Sequence, residues 1–345
     1  MNPKIKIIGK DSKGWSIDND RFYHEKAVKG LNYSQAVTTW GADIIFNVWY
    51  SYILKKKFAL LLRFKGNRKL INVITNDPED NQTNLKLYES FTDYWVCANN
   101  KQKQFLLSQK VHENRIFSNP FYVDELIFKD FNLSKEELAK KLNLKVERIE
   151  NKCIIGSFQR DSRGDDVLKS KWHKNPEQMI DVLKSLDASK FILLLAGPRR
   201  HFVINECRKH KIPYIFFGDE SYIDKKKDDV SKNNISYEMI NLLYNICDLY
   251  VLTSASEGGP KAVIEAGLTK TPILSTPVGF APDLLDPLSI CSTTDEFRQK
   301  IESMISNPNS VDDLIQKNYE NVSKINNFDA YKQRIKHIID SVSNE

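Results

Sequence analysis

The chain has 345 residues, 41% of them hydrophobic and 28% charged, with a formal net charge of +6. That length exceeds what one hydrophobic core usually serves, so two domains are expected, and the composition excludes a disordered chain. Acidic residues lie among the basic ones throughout, which excludes a nucleic-acid footprint, and no apolar run reaches the roughly 18 residues of a membrane-spanning helix.

The opening residues lead with lysines into a short apolar run at 5–8, too brief for a signal-peptide core, and this predicts a first strand and a cytoplasmic protein. Further β-rich runs follow at 43–48, 70–75, 94–98 and 115–118, separated by charged stretches with apolar positions at helical spacing. Between the first two, Gly14, Trp15 and Ser16 read as the lip of a cleft, and Asp18-Asn19-Asp20 as a loop. Residues 50–69 mix lysines and arginines with Leu, Ile, Phe and Tyr, the makeup of a helix that lies on an anionic membrane. A crossover helix with one buried face fits the same pattern. Asn76 and Asp77 fall at the carboxyl end of the third run.

A second series of runs occupies 152–158, 191–196, 214–218, 249–253 and 272–275. Strands alternating with helical stretches indicate parallel sheets joined by crossover helices. The prediction is α/β, with two Rossmann-like domains. Residues 133–150 are charged and helical in pattern, which puts the boundary near Asn151: domain one over 1–150, domain two over 151–326. The tail, 327–345, carries Phe328, Tyr331, Ile335, Ile338 and Ile339 on one helical face.

The five cysteines, Cys97, Cys153, Cys207, Cys247 and Cys291, form no Cys-x-x-Cys pair, and the six histidines show no ligand spacing, so neither a disulfide framework nor a metal site is indicated. The most informative stretch is SASEGGPKAVIEAGLTKTPILSTPVG, residues 254–279. It sets Glu257 and Glu265 around a Gly258-Gly259-Pro260 turn between an apolar strand and a helix. Pro260 suits the first helical position, the glycines allow close approach of a ligand, and a helix start favours an anion such as a diphosphate. The carboxylates are suited to accept hydrogen bonds from sugar hydroxyls.

These residues resemble the donor-site signature of retaining glycosyltransferases of the GT-B fold, specifically glycosyltransferase family four: Glu257, seven residues, Glu265, then Ala266, Gly267, Pro272, a short strand and Gly279. EMINLLYNICDLYVLTS upstream resembles the family's helix and strand entering the site, and NPFYVDELIF, residues 119–128, resembles the segment closing its first domain. The likeness covers most of residues 115–285. The first hundred residues share only the family's alternation of strands and helices.

The resemblance implies two Rossmann-like domains facing across a cleft, the first for the acceptor and the second for a nucleotide diphosphate sugar, with the carboxy-terminal helix returning to the first. It implies that Glu265 binds ribose hydroxyls, that Glu257 contacts the donor sugar, and that the backbone of Gly258, Gly259 and Lys261 faces sugar and diphosphate. The family's phosphate clamp falls on Arg160 of GSFQRD and on Lys174 of KWHKNPE, with Lys171 competing for the second role. This chain departs from the family in Gln159, where a Gly is common, and in the longer stretch between the two cations. Base recognition falls around Gly218 and Tyr237. The implied enzyme is a hexosyltransferase-like, retaining glycosyltransferase of cell-surface polysaccharide biosynthesis, needing no cofactor, with a glycan or lipid-linked glycan as acceptor at the inner face of the membrane. The alternatives are a nucleotide-sugar epimerase or a phosphorylase of the same fold, or a non-catalytic sugar-nucleotide-binding protein.

Overall fold

The computed structural model describes residues 2–11, 16–81 and 87–344. The chain separates into two units, one comprising Met1–Tyr122, Glu257–Gly259 and Ile325–Glu345, the other Val123–Ser256 and Pro260–Lys324. Each is built on a parallel sheet.

In the first unit the strands are β1 (Lys4–Ile8), β2 (Ser34–Gln35), β3 (Ile44–Asn47), β4 (Lys69–Val73), β5 (Tyr94–Cys97) and β6 (Ile116–Ser118). They lie in the order β2-β1-β3-β4-β5-β6 with every pairing parallel. Side chains of β3 and β5 are buried on both faces, which is why these strands read as continuous apolar runs rather than alternating ones. β2 was not anticipated. Its two residues are polar and exposed, so no hydrophobic pattern announces it.

The carboxy-terminal helix, Phe328–Ser343, begins where Asn327 accepts a hydrogen bond from the Ala330 N–H at 2.7 Å. Its Tyr331, Ile335, Ile338, Ile339 and Val342 enter the core that holds Ile5, Tyr23, Ile44 and Phe46 of the first unit. At about 1.5–3 kcal/mol for each large apolar side chain removed from water, this face anchors the helix. Tyr331 also hydrogen bonds the buried His24 ring at 2.7 Å.

The second unit contains β7 (Cys153–Ser157), β8 (Phe191–Ala196), β9 (Tyr214–Phe217), β10 (Leu249–Leu252) and β11 (Ile273–Ser275), ordered β11-β10-β7-β8-β9 and again all parallel. The chain winds outward one way from β7 to β9 and the other way from β10 to β11, so the order reverses between β7 and β10. In such sheets ligands bind outside the carboxyl ends of the strands that flank the reversal.

Two sequence expectations are corrected. Asp18 and Asp20 lie on the helix Ser16–Gly30 rather than in a loop, with Asp20 buried and Asp18 accepting from the Asp11 N–H at 3.2 Å. Ser16 starts that helix, while Gly14 and Trp15 lie outside the described residues. Residues 50–69 are not one helix but 3-10 turns at Tyr50–Leu54 and Lys56–Phe58 followed by the short helix Ala59–Arg63, because Tyr50, Tyr52, Ile53, Phe58 and Leu61 turn inward at irregular spacing. By contact grouping the second unit begins at Val123. The helix Lys135–Lys141, capped by a reciprocal Ser134 and Glu137 box, buries Leu138 and Ala139 against Leu243 and Ile246 of the second unit.

Candidate functional site

Two loops leave the carboxyl ends of β7 and β10 at the reversal of the second sheet, and a web of hydrogen bonds joins them. Ser254 Oγ donates to Gln159 Oε1 at 3.0 Å. The N–H groups of Ala255 and Ser256 both donate to the His173 carbonyl, at 3.0 and 3.2 Å, and Thr253 Oγ1 donates to the Asn175 carbonyl at 3.1 Å. The 3-10 turn Trp172–Lys174 is thereby fixed beside the residues that lead into Glu257. Arg160, Lys171 and Lys174 are all partly exposed on these loops, as a cation that meets a ligand must be. The Lys171 N–H is held at 2.7 Å by the Asp161 carbonyl. Lys171 precedes the 3-10 turn and Lys174 closes it.

Behind Arg160 lies an ion pair that the sequence did not disclose. Arg200 Nε stands 3.0 Å from Asp161 Oδ2, and both side chains are almost wholly buried, at 1% and 2% exposure. The Asp161 and Ser162 N–H groups donate to the Arg199 carbonyl, and Arg200 Nη2 donates to Ser157 Oγ at 3.2 Å. Burial raises the Asp161 carboxyl above its ordinary range, and the Arg200 charge opposes that shift. The pair braces the start of the β7 loop from below.

The helix Lys261–Leu268 follows β10. Pro260 sits just ahead of it in an extended conformation, not at the first helical position, and contributes no side-chain cap. Glu265, on the second turn, accepts a 2.9 Å hydrogen bond from the Tyr244 hydroxyl. Tyr244 is fully buried on the helix Tyr237–Ile246 and packs between Phe158 and Tyr250, with ring centroids at 5.0 and 4.9 Å. Burial pushes the Glu265 carboxyl upward even though part of the residue reaches the surface, while the Tyr244 bond and the Lys261 charge pull it down.

Glu257, Gly258 and Gly259 group with the first unit. There the Gly258 carbonyl accepts from Asn99 Nδ2 at 2.6 Å and from Gln102 Nε2 at 3.0 Å, both donors being buried. A Cβ on Gly258 would run into the Thr75 carbonyl, so only glycine fits. Asn76 contributes its carbonyl to Gln102, and Asp77 is ion-paired to Lys101 at 2.7 Å. At the far side of the second sheet a Cβ on Gly218 would strike the Phe216 ring and lie 2.9 Å from Asn233 Oδ1. Tyr237 is 42% exposed and meets Phe128 edge-on. Sequence reasoning missed Tyr244 as partner of Glu265, the amides of Asn99 and Gln102, and the Asp161–Arg200 pair, since each joins residues far apart in the chain. Among the described residues no cluster of His, Cys, Asp and Glu has the arrangement of a metal site.

Residues 169–321 match the family model described as glycosyl transferases group 1. Comparison with curated proteins returns no match. Among solved structures the chain is similar to HepE from Anabaena, solved with UDP-glucose, at a TM-score of 0.74 and 14% identity, covering 98% of this chain and 100% of that one. It is also similar to sucrose-phosphate synthase from Thermosynechococcus elongatus, with TM-score 0.68, 14% identity and coverage of 94% and 78%. A glycosyltransferase from Rickettsia africae ESF-5 gives TM-score 0.66, 19% identity and coverage of 98% and 84%. The fold is GT-B, and the family match over 169–321 falls largely on the second unit.

Proposed function

We propose that the chain moves a sugar from a nucleotide diphosphate donor to a hydroxyl of a glycan or lipid-linked glycan, with retention of anomeric configuration, in the manner of glycosyltransferase family four. The observation that carries this reading is the joining of the β7 and β10 loops at the strand-order reversal, with Glu265 fixed by Tyr244 on the helix that follows. That HepE was solved with UDP-glucose supports a donor of this kind.

In this reading Glu265 accepts hydrogen bonds from the donor's ribose, and Gly218 and Tyr237 border the base. Arg160 and Lys174, with Lys171 beside them, carry positive charge to the diphosphate, and Gly258, Gly259 and Lys261 face sugar and phosphate. Cations held in place ahead of the reaction stabilise the charge that develops on the leaving diphosphate. The bond from the anomeric carbon to the diphosphate oxygen breaks and a bond to the acceptor oxygen forms on the same face. The acceptor proton passes to the departing diphosphate, and Glu257 contacts the sugar at the reacting carbon.

We assign the segment around residues 50–69 to contact with an anionic membrane. No acidic residue occurs from 44 to 76; Leu60 and Phe64 are 64% and 58% exposed, and Lys56, Lys57 and Arg63 of the same segment are exposed too. Exposed apolar and cationic side chains on one segment match a lipid surface in both terms of its attraction. Among the described residues no helix is long and apolar enough to cross a membrane. Transfer assays with a nucleotide-sugar panel test the activity. Wild type should consume donor in the presence of acceptor and Glu257→Ala should not, whereas donor binding without any turnover would reject a catalytic role.

A further inference from the structure

A groove of about 450 Å3 opens on the first unit, where β6, the edge strand of its sheet, meets the carboxy-terminal helix. Its volume falls within the roughly 300–1,000 Å3 of small-molecule sites. The strand side presents Ile116, Phe117 and Ser118 and the helix side Gln333, Arg334, His337 and Ile338, so the lining holds both apolar and polar groups.

Arg334 is the unusual member. Its Nε donates to Asn119 Oδ1 at 2.9 Å and its guanidinium lies 5.9 Å from the centre of the Tyr331 ring. It is half-buried, and burial makes the group less basic than an ordinary arginine. Among the described residues no carboxylate pairs with it. A cation drawn partly out of water without a counter-charge is costly, and an anion that enters beside it removes the cost. The fork carries further N–H donors suited to two oxygens of one head group. His337 stands one turn along, its ring edge-on to Phe117 at 5.9 Å, so a cationic-capable ring and an apolar ring meet at the same mouth.

We propose that this groove binds an amphiphilic oxyanion, a phosphate monoester or carboxylate on an apolar stem, with Arg334 gripping the head and Ile116, Phe117 and Ile338 covering the stem. The proposal does not depend on the transferase reading.

Calorimetric titration of the full chain with octyl phosphate, octanoate and inorganic phosphate tests it, with saturating UDP as a control. One site for octyl phosphate or octanoate is expected, at least tenfold tighter than for inorganic phosphate and unchanged by UDP. The ratio of the two amphiphiles identifies the head group. Arg334→Gln should weaken binding at least tenfold. His337→Glu, on an exposed position that leaves folding intact, should do the same by setting a competing carboxylate one turn from Arg334. The proposal is overturned if neither amphiphile binds, if UDP displaces them, or if His337→Glu binds them as wild type does.

Discussion

The Tyr244 hydroxyl donates a 2.9 Å hydrogen bond to Glu265 Oε2 from a fully buried position. The bond selects one orientation of the carboxylate and favours its charged form, so Tyr244 positions a group that would otherwise drift towards protonation. Tyr244→Phe keeps the ring packing against Phe158 and Tyr250 and removes that bond together with the hydroxyl's hydrogen bond to Tyr250. One hydrogen bond to a charged group contributes about 1.5–3 kcal/mol to stability, so the variant should unfold more easily by up to that amount and bind donor about tenfold more weakly. Urea unfolding checks the first and titration calorimetry the second.

The sign of the pH dependence follows from Glu265. Burial raises its carboxyl above the ordinary value in the folded protein. Its contribution to stability in the unliganded protein is therefore fully present below the unfolded value and lost as pH rises through the folded one. Donor binding through ribose hydroxyls needs the carboxylate and should show the opposite trend, weakening as pH falls through the folded value. In Tyr244→Phe the acid limb of donor binding should move to higher pH, and in Glu265→Gln it should vanish. A limb that stays in place in both variants would assign it to another group.

Gly258→Ala places a methyl group against the Thr75 carbonyl, which is backbone and cannot swing away. Overpacking of this kind typically costs about 1–3 kcal/mol. Urea unfolding should show that loss, and transfer activity should fall more than stability does because the residue next to Glu257 is displaced. Gln102→Ala removes one of the two amide donors to the same carbonyl and should have a smaller effect in the same direction.

Asp161→Asn leaves Arg200 buried without its counter-charge. Breaking a buried pair from one side costs about 3–5 kcal/mol, and urea unfolding should report a loss of that size. The double substitution Asp161→Asn, Arg200→Met should recover part of it, because the orphaned cation is gone. Wild-type stability of Asp161→Asn would mean that the pair contributes nothing through its charges, and equal stability of the single and double variants would mean that the loss does not come from an orphaned Arg200.

Leu60→Ser and Phe64→Ser replace exposed apolar side chains and should leave the free energy of unfolding within about 0.5 kcal/mol of wild type. Both should reduce co-sedimentation with vesicles containing anionic lipid, and raised salt should reduce it for wild type as well. Equal sedimentation of wild type and variants at all salt concentrations would remove the membrane assignment.

Several features were legible because their signal is local. Buried parallel strands such as β8 read as the run FILLLA. The end of the chain declared its amphipathic face through Tyr331, Ile335 and Ile338. What stayed hidden depends on tertiary meeting points. Tyr244 reaches Glu265 across 21 positions, Asn99 reaches Gly258 across 159, and Asp161 finds Arg200 through the crossover between β7 and β8. Asp18 and Asp20 misled because an acidic, turn-prone composition outweighed a helix whose buried face carries Tyr23, Ala27 and Val28. Residues 50–69 misled because total composition conceals which residues turn inward.

Binding of a nucleotide diphosphate sugar to wild type and to Glu265→Gln, measured by calorimetry with UDP-glucose first and other bases and sugars after it, bears most directly on the donor site. Saturable one-to-one binding to wild type, weakened at least tenfold in Glu265→Gln with folding intact, is the predicted result. Absence of binding for every donor in the panel, or equal affinity in the two proteins, would contradict it.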